Sequence, residues 1–167
     1  MANLRKKLIW LQYVLNALAV FGLVISCYGL FVELQIDNNP DYQPMCDVSE
    51  WISCSKALNS TYGRGLGLVA DVLGEDHVLN QRNVVYGIGV YCALFFLSFS
   101  SNMMVASVHL LIIMMLNLLS LYLAAVLYHL GTVCLVCISI YAINFVMLPL
   151  AISRRNTISA MNRKKFI

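Results

Sequence analysis

Charge is scarce in this chain of 167 residues: Asp, Glu, Lys and Arg make up 11% of it, against 60% hydrophobic residues and a mean hydropathy of +0.77. A soluble globule of this length cannot hide that much apolar side chain, which excludes a water-soluble fold and makes a bilayer the expected solvent. Neither an Asp, Glu, Lys nor Arg occurs between Leu8 and Val32, or again between Asn83 and Ser153. Acidic residues are missing everywhere outside one stretch, since all eight (Glu33, Asp37, Asp41, Asp47, Glu50, Asp71, Glu75 and Asp76) fall between the two uncharged runs. There is no internal repeat, no low-complexity tract, and no room for a soluble catalytic module beside the apolar segments. A single domain over 1–167 is expected.

What is present organises the chain. A span needs about 20 apolar residues, so the first run supplies one helix and the second, divided at Ser98–Asn102 and around His129–Thr132, supplies three. The sequence therefore predicts an all-α membrane protein, a four-transmembrane-helix bundle with helices over roughly 8–33, 83–101, 103–128 and 132–153. The first run follows Arg5-Lys6-Lys7 as a signal peptide would, but it is too long for a signal and no small-residue cleavage site ends it, so it is expected to remain as an anchor. Eight of the eleven basic residues sit at the two ends: Arg5, Lys6, Lys7, Arg154, Arg155, Arg163, Lys164 and Lys165. The positive-inside rule puts both termini in the cytosol. These ends are short and flank membrane helices, so no nucleic-acid partner is expected. The last four residues, Lys164-Lys165-Phe166-Ile167, resemble a dilysine retrieval signal read from the cytosol, which predicts an endoplasmic reticulum membrane protein. Asn59-Ser60-Thr61 is a glycosylation sequon in the connection that would face the lumen.

That connection, about 35–82, carries Trp51, Leu58, Leu66, Leu68, Val69, Val72 and Leu73, enough apolar surface to fold back on the bundle as a cap containing short helices. Asp47-Val48-Ser49-Glu50 has the form of a capping box that would start a helix through Trp51 and Cys54. A second short helix is expected over about Leu66 to Leu73, stopped by Gly74. Gly63-Arg64-Gly65-Leu66-Gly67 lacks a preceding strand and the spacing of a phosphate loop; its glycines instead predict a tight turn against the helices.

Six cysteines occur. Cys27 and Cys92 lie inside apolar spans, where a lone Cys acts as a small hydrophobe. Cys46 and Cys54 belong to the cap, and Cys134-Leu135-Val136-Cys137 is a C-x-x-C at the start of the last helix. In the expected topology all four meet at one end of the molecule. Cys134 and Cys137 are helical i,i+3 neighbours able to bridge when oxidised, and a helix N-terminus stabilises a thiolate there. Such an arrangement suits a relay in which a loop thiol attacks the helix disulfide and passes on two electrons. Against it stand a zinc site, for which a single C-x-x-C without a second ligand pair is poor support, and a merely structural loop disulfide of the claudin-like kind, which leaves the C-x-x-C unexplained and lacks the tryptophan-rich claudin signature. No metal is expected. Tyr141, four residues beyond Cys137, and Asn83, opening the second helix, would flank the thiolate and hydrogen-bond the two oxygens of a lipophilic quinone whose ring stacks on Tyr86.

Several of these segments are together similar to one family. Cys46-Asp47, Ser53-Cys54-Ser55, Tyr62 through Val69, Leu79-Asn80-Gln81-Arg82-Asn83, Tyr86-Gly87, Cys134-Leu135-Val136-Cys137 and Tyr141-Ala142-Ile143-Asn144 closely resemble, in order, the animal vitamin K epoxide reductase family with its like-1 paralogue. The resemblance implies a quinone pocket in a helix bundle, capped by the lumenal loop, with no tightly bound cofactor beyond redox-active disulfides. It implies that Cys137 attacks the substrate, that Cys134 closes the disulfide, and that Cys54, partnered by Cys46, regenerates the pair with electrons from thioredoxin-like lumenal oxidoreductases. Asn83 and Tyr141 match the residues that bind the substrate oxygens. Vitamin K 2,3-epoxide would become quinone and then hydroquinone, and 4-hydroxycoumarin inhibitors would occupy the same pocket in the lipid membrane. Leu58 and Leu66 stand where aromatic residues are common in that family, and the segment from Tyr122 to Cys134 is one residue shorter. A quinone-coupled oxidase that generates disulfides, or a non-catalytic tetraspan scaffold, is the competing expectation.

Overall fold

The computed structural model describes residues 2–39, 41–49 and 51–164. Glu50 of the expected capping box, and Lys165, Phe166 and Ile167 of the dilysine-like tail, lie outside the described residues.

The uncharged runs form long helices because in an apolar solvent the backbone must satisfy its own hydrogen bonds. Helix α1 spans Ala2–Asn38 and, after the short cap helices α2 (Cys54–Leu58) and α3 (Val69–Leu73), the chain continues through α4 (Asn83–Ser98), α5 (Met103–Leu130) and α6 (Leu135–Arg163). Three of these, α1, α5 and α6, are long and apolar enough to cross a membrane, and the chain is a multi-pass membrane protein.

The fourth expected span is corrected. Helix α4 has 16 residues, which at 1.5 Å per residue is ~24 Å, short of a hydrocarbon core of about 30 Å. Its end is fixed by partners distant in sequence. Ser98 donates to Phe95 O and to Asn16 Oδ1, and Arg154, 1% exposed, donates to the carbonyls of Leu97 and Ser100. A guanidinium on the closing carbonyls satisfies them and complements the negative end of the helix. Asn102 then starts α5 by accepting from Met104 N at 2.8 Å. The architecture is three membrane-length helices with a shorter apolar helix laid along α1, and not a bundle of four spans.

Helix α6 packs against both α1 and α5. The core at mid-height comprises Leu15, Ala19, Tyr91, Leu94, Ile113, Ile143, Met147 and Ala151. Gly22 matters here: a Cβ on it would lie 2.5 Å from the Tyr91 ring, so glycine is what lets that ring lie against α1. A second cluster, Leu8, Ala106 and Ile158, joins α1, α5 and α6 at the end that carries the chain termini. The third gathers Val32, Cys46, Cys54, Ala57, Leu58, Val84, Cys134 and Val136 at the opposite end.

The cap sits on that opposite end. Helix α2 begins later than the capping-box pattern predicts, with Ser53 as N-cap accepting from Lys56 N at 3.2 Å. Asp47 does cap this helix, but from eight residues away: its carboxylate accepts from Ser55 N at 3.1 Å and from the Ser55 hydroxyl. The expected second helix is reduced to α3, stopped by Gly74 at φ 92. Ahead of it the glycine-rich turn places Gly65, Leu66 and Gly67 successively at φ 53, 60 and 69. Leu66 is a strained conformation for a residue with a Cβ.

Candidate functional site

Two short stretches of extended chain build the cysteine site. Ser53 N donates to Val133 O at 3.0 Å, Val133 N donates to Trp51 O at 2.7 Å, and Ile52 and Val133 form an isolated parallel bridge. Thr132 Oγ1 adds a bond to Ser53 O at 3.5 Å. This lashes the cap segment ending in Cys54 to the segment ending in Cys134, so both enter one apolar cluster and each is 0% exposed. The sequence alone brings the four cysteines to one end; the backbone pairing that brings them into one cluster is two residues long and leaves no period to read.

Within the cluster Cys46 and Cys54 form a disulfide, while Cys134 and Cys137 are free thiols. Cys134 is the N-cap of α6, and its Sγ accepts from Cys137 N at 3.3 Å. A hydrogen bond from the Cys137 thiol, aided by the backbone N–H groups of Cys137 and Val136, outweighs burial and holds the Cys134 thiol below its ordinary range. Asp47 stands beside the disulfide. Burial works to raise its carboxyl, but the bonds from Ser55 prevail and hold it below the usual carboxylate range. Cys46, Asp47 and Cys54 bring possible metal-ligating atoms within 4.8 Å of one another. The two sulfurs are bonded to each other and Asp47 is engaged by Ser55, so the trio fits redox chemistry rather than a thiolate metal site.

Below the cysteines lie two adjoining cavities. One, of about 130 Å³, is lined by Cys137, Asn83, Tyr141, Ser26, Leu58 and Tyr62 among others. Its neighbour, of about 270 Å³, shares Asn83, Gly87, Leu123, Ile140 and Tyr141 with it and adds Leu66, Tyr86, Tyr91, Ser120 and Asn144. The structure thus brings Cys137, Asn83 and Tyr141 to the lining of one cavity. Tyr86 lines only the second cavity, and its hydroxyl donates to Leu79 O.

Asn83 has a task that the sequence did not disclose. Its Oδ1 accepts from Leu66 N at 2.9 Å and its Nδ2 donates to Tyr62 O at 2.6 Å, clasping the left-handed turn of the cap. The preceding residue, Arg82, reaches the buried Glu33 at 3.4 Å and also Asp37, tying α4 to the end of α1. Also missed were Tyr91, Ser120 and Asn144. Their signal was available, because polar side chains inside apolar spans are functional candidates by default.

Comparison with known proteins decides the family. The profile of the Vitamin K epoxide reductase family matches residues 13–152. Vitamin K epoxide reductase complex subunit 1 of Rattus norvegicus is 42% identical over 130 residues, covering 77% of this chain and 80% of that protein. The Mus musculus protein of the same name is 37% identical over 140 residues, covering 83% and 86%. The chain belongs to the vitamin K epoxide reductase family. It is a membrane oxidoreductase of vitamin K epoxide reductase type, with a disulfide in the cap and a C-x-x-C at the start of α6.

Proposed function

We propose that this protein reduces vitamin K 2,3-epoxide to the quinone and the quinone to the hydroquinone, with electrons carried from Cys46 and Cys54 to Cys134 and Cys137. The observation that carries this reading is the continuity of disulfide, dithiol and cavity: Cys54 and Cys134 share one buried cluster and Cys137 opens into the chamber below.

The steps follow from the chemistry of the groups. Cys137 Sγ attacks an epoxide carbon, its thiol proton passes to the Cys134 thiolate, and the C–O bond breaks to leave an alkoxide that Tyr141 stabilises by donating a hydrogen bond. An amide nitrogen has two hydrogens, so Asn83 can keep Tyr62 O on one and offer the other to the second substrate oxygen. Tyr86 contributes an aromatic wall for the ring. Cys134 then returns that proton to the oxygen and its Sγ attacks Cys137 Sγ, the S–C bond breaks, and the oxygen leaves as water, one of its protons coming from the thiol–thiolate pair and the other from the medium. The enzyme is left with a Cys134–Cys137 disulfide and the product is the quinone. Reducing the quinone in turn requires a second dithiol and delivers two electrons and two protons.

Regeneration runs outward by thiol–disulfide exchange. A thioredoxin-like lumenal dithiol reduces the Cys46–Cys54 disulfide; Cys54 attacks Cys134, releasing Cys137; Cys46 attacks Cys54, releasing Cys134. The chain would act as one catalytic domain in the endoplasmic reticulum membrane, with both basic termini in the cytosol and the cysteines in the lumen. An apolar cavity with two polar groups at one wall also suits a 4-hydroxycoumarin inhibitor.

Microsomes containing the full chain, given dithiothreitol and vitamin K 2,3-epoxide, are expected to form quinone. An epoxide left untouched while added quinone is consumed as lumenal dithiols are oxidised would mean that electrons flow the other way, and no change in either would leave a scaffold.

A further inference from the structure

The hydrogen bonds at the floor of the second cavity assign a role to a residue that contributes no chemistry. Asn144, 2% exposed on α6, is held from two other helices. Tyr91 Oη on α4 donates to its Oδ1 at 2.8 Å, its Nδ2 donates to Ser120 Oγ on α5 at 2.9 Å, and Asn117 Nδ2 on α5 donates to its backbone carbonyl at 2.9 Å. Ser120 closes the set on Leu116 O at 2.8 Å, and Asn117 also donates to Ile113 O at 2.8 Å. No other point on α6 between Cys134 and Pro149 has three such side-chain bonds among the described residues.

Its place along α6 explains why that hold matters. Pro149 lies inside the helix and, having no N–H, cannot bond the carbonyl one turn back; such a residue is where helices bend. The segment from Leu135 to Leu148, which bears Cys137 and Tyr141, therefore hangs on the far side of a weak point from Arg154, which anchors the rest of α6 to the end of α4. Asn144 is three residues beyond Tyr141 and so on the same face. A rotation of this segment about its axis would turn Tyr141 away from Asn83; the apolar contacts of Ile143 and Met147 resist it without specifying an angle, whereas hydrogen bonds are directional.

We propose that Asn144 is a positioning residue: its three hydrogen bonds fix the rotation of residues 135–148 above Pro149, so that Tyr141 and Cys137 face the cavity wall that carries Asn83. This rests on the site proposed above, and acts through Tyr141 rather than on substrate.

The test uses the full-length protein purified in detergent, with turnover expressed per molecule of the monodisperse fraction. With vitamin K 2,3-epoxide and dithiothreitol, Asn144→Leu is expected to lose about tenfold or more in kcat while KM stays within about twofold, since the loss is one of orientation in the reacting complex. Tyr91→Phe, which deletes one hydroxyl, is expected to lose roughly threefold in kcat. In a Tyr141→Phe background, Asn144→Leu should cost less than about twofold more, because residues acting as one unit are not additive. A full additive loss, or a loss confined to KM or to the yield of folded protein, overturns the proposal. Where Asn144→Leu does not fold, Tyr91→Phe carries the same comparison. A second measurement is independent of the quinone: the rate at which methyl methanethiosulfonate modifies Cys137 should change in Asn144→Leu and Tyr91→Phe. If the unaltered protein ignores the epoxide yet this rate changes, the substrate reading fails and the positioning role stands; an unchanged rate removes the positioning role.

Discussion

Cys134 and Cys137 are three residues apart and chemically unequal. Cys134 closes the N-terminus of α6, receives a backbone N–H from Cys137, and is fully buried against the cap, whereas Cys137 opens into the cavity. Cys134→Ser should stop turnover and accumulate a covalent substrate adduct on Cys137, seen by mass; Cys137→Ser should stop turnover and accumulate none. Trapping on the second variant and not the first would reverse the roles. The Cys134 thiol sits below its ordinary range chiefly because the Cys137 thiol donates to it. Its thiolate therefore persists as pH falls through the usual free-thiol value of about 8.5 and is lost only at lower pH. In Cys137→Ala that donor is gone, so the pH midpoint for modification of Cys134 by a small thiol reagent should move upward; an unmoved midpoint would assign the depression to the helix terminus alone. Tyr141→Phe should slow turnover by about 1–3 kcal/mol of transition-state stabilisation, the worth of one hydrogen bond to a developing oxyanion in a dry site.

At the scale of elements, the pairing of Trp51–Ser53 with Val133 is what sets Cys54 and Cys134 in one buried cluster, as the proposed relay requires. Val133→Pro removes the N–H that donates to Trp51 O at 2.7 Å. Turnover with a protein reductant is expected to fall far more than turnover with dithiothreitol, which attacks the helix pair directly; equal losses would make the pairing structural. The cap turn is similarly exacting. A Cβ on Gly63 would lie 2.1 Å from the Leu58 carbonyl oxygen, so Gly63→Ala should destabilise the cap by roughly 1–3 kcal/mol, read as faster proteolysis between α2 and α3. The long helices, the cysteine end and the wall of Asn83 and Tyr141 were legible in the sequence, because uncharged runs and i,i+4 spacing are local signals. The end of α4 was not, because Arg154 sets it from 54 residues away. Asp47 misled for the opposite reason: its pattern was local, but the helix it caps starts at Cys54. Asn83 was legible as a polar group at the right depth, while its grip on Leu66 and Tyr62 depends on a left-handed turn that three glycines only hint at.

At the scale of the whole molecule, the polar ends of the chain and the cysteine cluster lie at opposite ends of α1 and α6. If the basic termini face the cytosol, a membrane-impermeant thiol reagent should label a cysteine placed at position 160 in sealed microsomes, and one placed at position 38 only after the lumen is opened; the reverse pattern would invert the orientation. The burial of the relay has a consequence of its own. Cys54 and Cys134 are each 0% exposed, and Cys46, at 6%, is the least covered residue of these three. Burial of this kind excludes a bulky thiol such as glutathione sooner than a small reagent, and peroxide oxidises accessible thiolates first. In the proposed relay the passage from cap to cavity would then act as an insulated wire: an electron pair admitted at the cap would have the substrate as its exit, and reducing power could be held in an oxidising compartment without leaking to the surroundings.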